Sequence, residues 1–91
     1  MARVTVSMFA TVREAASASS VQLDARDLDE LISALSDRFG KRLRRLLDES
    51  RSDPERLIIL LNGRNIPLAR SGSLTLADGD EISIFPPVSG G

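Results

Sequence analysis

Apolar and polar positions alternate at the start of the chain. Val4, Val6 and Met8 are separated by Thr5 and Ser7, so a two-residue period over Arg3 to Phe9 predicts a strand with those three side chains on one face. Arg13, Glu14 and a run of alanines and serines follow without a clear period, which leaves either a long hairpin loop or a helical turn before a short second strand, Val21 to Leu23. The period then changes. Leu28, Leu31, Ile32, Leu35 and Phe39 recur at spacings of three and four, which places them on one face of a helix. Asp27 is positioned to cap that helix, with Glu30 three residues on as in a capping box, and Gly40 is a suitable stop. Lys41 to Glu49 reads as a second, short helix with Leu43, Leu46 and Leu47 inward, and Ser50 to Pro54 as a turn.

The second half is strand-like. Leu57 to Leu61 is an unbroken apolar run, expected to be a central strand buried on both faces. Asn62-Gly63 is a strong hairpin signal because both residues tolerate positive φ, and Arg64 to Ile66 would be the short return before Pro67. Ala77-Asp78-Gly79-Asp80 predicts another turn, and Glu81 to Phe85 the last strand, with Ile82 and Ile84 on one side. The order strand, strand, helix, strand, short strand, strand predicts an α+β chain: a mixed sheet packed against one main helix, compatible with the β-grasp fold. One domain spans 1–85, and 86–91 form a tail.

Composition narrows the chemistry. The 91 residues carry 12 basic and 13 acidic side chains, so charge balance supplies no general reason for nucleic acid or an anionic membrane as partner. Histidine and cysteine are both absent. That removes imidazole acid–base chemistry, side-chain thiols, disulfides and the usual soft ligands of zinc or haem. An intracellular, cytoplasmic setting is the expectation. The N-terminal apolar stretch alternates with polar residues and is interrupted by Arg13 and Glu14, which argues against a signal peptide. An Asp-Gly turn accounts for Asp78 and Asp80 without a metal, and Glu14 and Asp24 have no visible catalytic pairing. The arginines of the Arg42 to Arg56 segment are expected to form a solvated face rather than a partner patch.

The chain ends Phe85-Pro86-Pro87-Val88-Ser89-Gly90-Gly91. Two prolines remove backbone donors and favour an extended course, while two glycines let backbone pass through a narrow space. Six residues beyond Phe85 reach about 20 Å. Terminal glycines alone are often a frayed linker. The complete terminal run, however, closely resembles the signature of the sulfur-carrier family that includes the small subunit of molybdopterin synthase and the thiamine-pathway carrier. Val12-Arg13-Glu14, Leu61-Asn62-Gly63 and Leu76-Ala77-Asp78-Gly79-Asp80-Glu81 extend the likeness over essentially the whole chain.

The resemblance implies a ubiquitin-like β-grasp fold and a C-terminal carboxylate, on Gly91, that is adenylated and then converted to a thiocarboxylate. No cofactor would be bound stably. Gly90, Ser89, Val88, Pro87 and Pro86 would be read by enzymes that receive the tail, and Phe85 would lie at a partner interface or close the core. The implied partners are an ATP-dependent adenylating enzyme resembling ubiquitin-activating enzymes, a sulfur donor system, and a large synthase subunit in an assembly of two small and two large chains. That assembly would convert a cyclic pyranopterin monophosphate to molybdopterin, this chain donating sulfur without catalysing alone. A carrier for thiamine, cysteine or tRNA thiolation, and a ubiquitin-like modifier joined to lysines through Gly91, use the same activation and remain alternatives.

Overall fold

A computed structural model describes residues 1–53, 56–68 and 72–87. Among the described residues the strands and helices run in the order β1 (Ala2–Met8), α1 (Ala10–Ala16), β2 (Ser20–Ala25), α2 (Leu28–Phe39), α3 (Lys41–Ser52), β3 (Ile58–Leu61), β4 (Arg64–Asn65) and β5 (Glu81–Phe85). The sheet order is β2-β1-β5-β3-β4. β1 pairs antiparallel with β2 and parallel with β5, while β5 and β4 both pair antiparallel with β3. This mixed sheet with helices on one face is the β-grasp arrangement expected from the sequence.

The core follows the two periods. Val4, Val6 and Met8 of β1, Ile59 of β3 and Ile82 and Ile84 of β5 are buried against Leu28, Leu31, Ile32 and Leu35 of α2. The start of α2 is held as the sequence predicts, because Asp27 Oδ1 accepts the Glu30 N–H at 2.8 Å. The reciprocal arm goes elsewhere: Glu30 Oε1 accepts the N–H of Arg26, not of Asp27, at 3.1 Å. The first-turn N–H groups of Leu28 and Asp29 donate to the carbonyls of Leu74 and Gly72, so an irregular segment completes the helix end. Gly40, at φ +90°, separates α2 from α3.

Several local expectations change. α3 is as long as α2 and runs through Ser52, so Ser50 to Ser52 of the expected turn are helical, and Pro54 lies outside the described residues. Ser50 stays inside the helix because its buried hydroxyl donates to the Leu47 carbonyl at 2.6 Å. Leu43 and Leu47 are buried, whereas Leu46 is only half-buried at the edge of the core. The segment left open after β1 forms α1, whose inward residues are Val12, Ala15 and Ala16. β3 is not buried on both faces: Ile59 points into the core, but Ile58 and Leu60 are half-exposed. β5, not β3, lies between two full partners, and β3 borders the two-residue β4.

The two turns singled out in the sequence are hydrogen-bonded to each other. Asn62 and Gly63 adopt φ +50° and +86°, as the hairpin requires. Asn62 Nδ2 donates to Asp80 Oδ1 at 2.9 Å, and Asn62 Oδ1 accepts the Glu81 N–H at 2.9 Å. Asp80 Oδ2 accepts the Ala77 N–H at 2.8 Å, and Asp78 Oδ1 accepts the Arg3 N–H at 2.8 Å. The aspartates thus brace the entry to β5 against β1 and the β3–β4 hairpin.

Two substitutions test this frame. Leu31→Ala removes a fully buried side chain and is expected to lower the unfolding free energy by about 2–5 kcal/mol in urea denaturation. Asn62→Ala loses two exposed side-chain hydrogen bonds and keeps a positive φ, for an expected loss of about 1–2 kcal/mol. Asn62→Gly loses the same bonds but relieves the backbone, so its denaturation midpoint should lie above that of the alanine variant.

Candidate functional site

β5 carries the tail. Its inward residues, Ile82 and Ile84, anchor it in the core, and ladder bonds hold it on both sides. The backbone therefore reaches Phe85 in a fixed position and direction. Beyond it Pro86 is half-buried and Pro87 is exposed. Neither can donate to a neighbouring strand. The tail residues Val88, Ser89, Gly90 and Gly91, expected to be read and activated by partners, lie outside the described residues.

At this exit the sheet presents apolar side chains away from the core. Residues opposite each other in a ladder share a face. Phe85 is paired with Ile58, and Leu60 with Ser83, so Ile58, Leu60 and Phe85 lie on the same outer face. All three are half-exposed and none belongs to the core cluster or packs against it. Phe9 joins them from the end of β1, where its N–H donates to the Ile84 carbonyl at 3.1 Å. Its ring meets Phe85 edge-to-face, with centroids 6.0 Å apart and planes at 84°. Phe9 remains 48% exposed, although one such aromatic contact is worth about 0.5–1.5 kcal/mol. Phe85 therefore does not close the core.

The residue after Phe9 explains this exposure. Ala10 has φ +52°, a left-handed conformation that is costly for a residue with a Cβ. It turns the chain sharply from β1 into α1, and Phe9, the residue preceding the helix, makes no side-chain capping bond. Sequence periodicity did not mark Phe9, Ile58 or Leu60 as a surface group. The available signal was the apolar run at Ile58 and Leu60, longer than a one-faced strand needs.

The remaining candidates are structural. Asp78 and Asp80 spend their carboxylates on backbone N–H groups of Arg3 and Ala77 and on the Asn62 amide. Asp24 pairs with Arg3 across β1 and β2 at 3.3 Å. Among the described residues, no group of three or more acidic side chains is arranged to hold a metal ion, and no helix is long and apolar enough to cross a membrane. What the described residues offer is a positioned strand end and an apolar face beside it.

The family model for ThiS matches residues 6–91. The chain is 36% identical over 73 residues to a protein of Archaeoglobus fulgidus assigned as a sulfur carrier, covering 78% of this chain and 83% of that one. The solution structure of small archaeal modifier protein 1 from Methanosarcina acetivorans superposes with a TM-score of 0.75 at 33% identity, covering 100% of this chain and 98% of that one. A chain from the complex of subunits 1 and 2 of the molybdopterin-converting factor of Helicobacter pylori superposes with a TM-score of 0.68 at 30% identity, covering 98% and 99%. With its β-grasp sheet, its centrally held last strand and a match extending to Gly91, the chain belongs to the ThiS family of sulfur carriers and ubiquitin-like small modifiers.

Proposed function

We propose that this chain is the sulfur-donating small subunit of a molybdopterin synthase, with Gly91 as the residue that carries the sulfur. The observation that carries the reading is the junction at Phe85. A strand locked between two neighbours ends beside an exposed Phe9–Phe85 pair and is followed at once by two prolines and the Val-Ser-Gly-Gly terminus. The similar chain from Helicobacter pylori comes from a complex of the two subunits of such a factor.

The chemistry requires activation because a carboxylate oxygen is a poor leaving group. Attack of the Gly91 carboxylate on the α-phosphate of ATP, in an adenylating partner, forms an acyl-adenylate and releases pyrophosphate. Attack by hydrosulfide on the acyl carbon then expels AMP and leaves a thiocarboxylate whose sulfur is nucleophilic. This chain contributes the reacting carbon, the reach and the docking face. The partner's pocket contributes the acid–base groups, and this chain has no histidine or cysteine to add to them. Ordering the tail costs roughly 1–2 kcal/mol per residue, so the receiving channel must offset it with contacts such as backbone hydrogen bonds along the extended segment.

A second reading, a modifier that joins proteins through Gly91, is favoured by the likeness to small archaeal modifier protein 1. The two diverge after activation. The carrier yields a free thiocarboxylate, whereas the modifier yields an amide bond to a lysine. Intact mass after incubation with activating enzyme, ATP and sulfide separates them: replacing one carboxylate oxygen by sulfur on the free chain supports the carrier, and higher-mass conjugates support the modifier.

Two further outcomes are expected. Phe9→Ser should weaken docking to the large synthase subunit by roughly tenfold in calorimetry. Its thermal midpoint should fall only modestly, because Phe9 is exposed and outside the core. One alanine added after Gly91 should leave folding and most docking intact while abolishing precursor conversion. The reacting carbon moves by about 3.4 Å, and a misplacement near 1 Å can already cost roughly a hundredfold in rate. Conversion at the unextended rate would overturn the role given to Gly91.

A further inference from the structure

We infer that the groove between α1 and α3 is a second docking surface, built to receive an acidic, helix-forming segment of a protein partner. The starting observation is a division of charge along α3. Arg44 pairs with Asp37 at 3.3 Å and Arg51 with Asp29 at 2.8 Å, both joining α3 to α2. Arg56, just beyond the helix, has Asp53 at 3.6 Å and Glu49 at 4.0 Å. Lys41, Arg42 and Arg45 have no acidic partner among the described residues, and all three are exposed. The segment is therefore not a uniformly solvated charged face. Its α2 side is neutralised within the fold, and its α1 side is left cationic.

Those three cations rim an open groove of about 340 Å³, whose remaining lining is Thr11, Glu14, Ala15 and Leu46. Leu46 is half-buried and Ala15 is buried, so the floor has apolar surface beneath the charged rim. The cations are also placed against the interest of the helix. Lys41 and Arg42 occupy the first turn of α3, where the macrodipole is positive and carboxylates are favoured. That turn contains no acidic residue, and Gly40 before it provides no side-chain cap. An incoming carboxylate would relieve both the unpaired cations and the positive helix end.

The same composition favours an acidic protein segment over nucleic acid. Three cations are few for a phosphate backbone, whose binding rests on many neutralised charges. Glu14 in the wall repels anions of either kind, which leaves room for a few spaced carboxylates rather than a continuous run of charge. An amphipathic helix can set leucines on the floor and space its carboxylates toward the rim. None of the groove's residues is part of the Phe9–Phe85 face.

Nuclear magnetic resonance titration of the full chain tests this. The probe is a synthetic amphipathic helical peptide with leucines at spacings of three and four and glutamates on the other face. Its glutamine counterpart and a single-stranded uridine oligonucleotide serve as comparisons. At low salt, the glutamate peptide should shift amides within Thr11–Ala15 and Lys41–Leu46. The glutamine peptide should bind at least roughly tenfold more weakly, and a Lys41→Gln, Arg42→Gln, Arg45→Gln triple variant should lose about tenfold in affinity. Arg64→Gln, on β4, should lose nothing. The triple variant's own spectrum reports that it is folded, and removing cations from the first turn of α3 favours the helix. Absence of binding, shifts centred on Phe9 and Phe85, equal affinity for the glutamine peptide, or preference for the oligonucleotide would each overturn the assignment.

Discussion

The structure depends on pairing the last strand in parallel with the first. β5 lies against β1 over Thr5–Met8 and Glu81–Ile84, and against β3 on its other side. Without it the sheet would separate into the β1–β2 pair and the short β3–β4 hairpin, and Ile82 and Ile84 would leave the core. Isolated two-stranded ribbons are marginal at best in water. The pairing joins the two ends of the chain, so it is among the most non-local contacts available and forms only after a large loop is closed. The same constraint serves the tail. On the proposed reading the terminus enters another protein's active site, and such a terminus is best launched from a strand that cannot swing. β5 is held by β1 through Ile84 and by β3 through Phe85.

That strand is also held at its entry. Asp78 takes a backbone donor from the start of β1, while Asp80 and Asn62 connect the turn before β5 to the one after β3. These bonds fix which residue of β5 faces which residue of β1. A slip of one position would move Ile82 and Ile84 to the outer face and Phe85 to the inner one. Register at the turn therefore decides whether the aromatic beside the tail is presented to a partner or buried. Asn-Gly and Asp-Gly look like two independent turns in the sequence. Their side chains make them one brace.

Elements with a strong period were legible. β1, α2 and β5 follow from the spacing of Val4, Val6 and Met8, of Leu28, Leu31 and Leu35, and of Ile82 and Ile84. α1 was open because its inward residues are mostly alanine, which carries little hydrophobic signal, and because its start depends on the positive φ of Ala10. Burial of Ile58 and Leu60 was overestimated for a different reason. An apolar run has the same appearance whether its second face meets another layer or waits for a partner, and only the helices' position on one side of the sheet separates those cases. Leu68 is buried beside Pro67, where no period marks it. For the tail, residue types and their order alone carried the reading, since Val88 to Gly91 lie outside the described residues.

The two exposed faces pose different physical problems. The group of Phe9, Ile58, Leu60 and Phe85 gains by losing water, an interaction with little dependence on salt and little directional preference. It suits a carrier passed between partners, because each can cover the same apolar surface with its own shape while the tail selects the chemistry. The α1–α3 groove works through charges exposed to solvent, whose range shrinks to about 10 Å at 0.1 M salt and whose individual contributions are small. Such a surface adds discrimination and speed of encounter more than strength. On the proposed reading the chain must leave each enzyme after delivering its cargo, and there this division is useful. An apolar face supplies strength of association, while a charged groove distinguishes partners without making release slow.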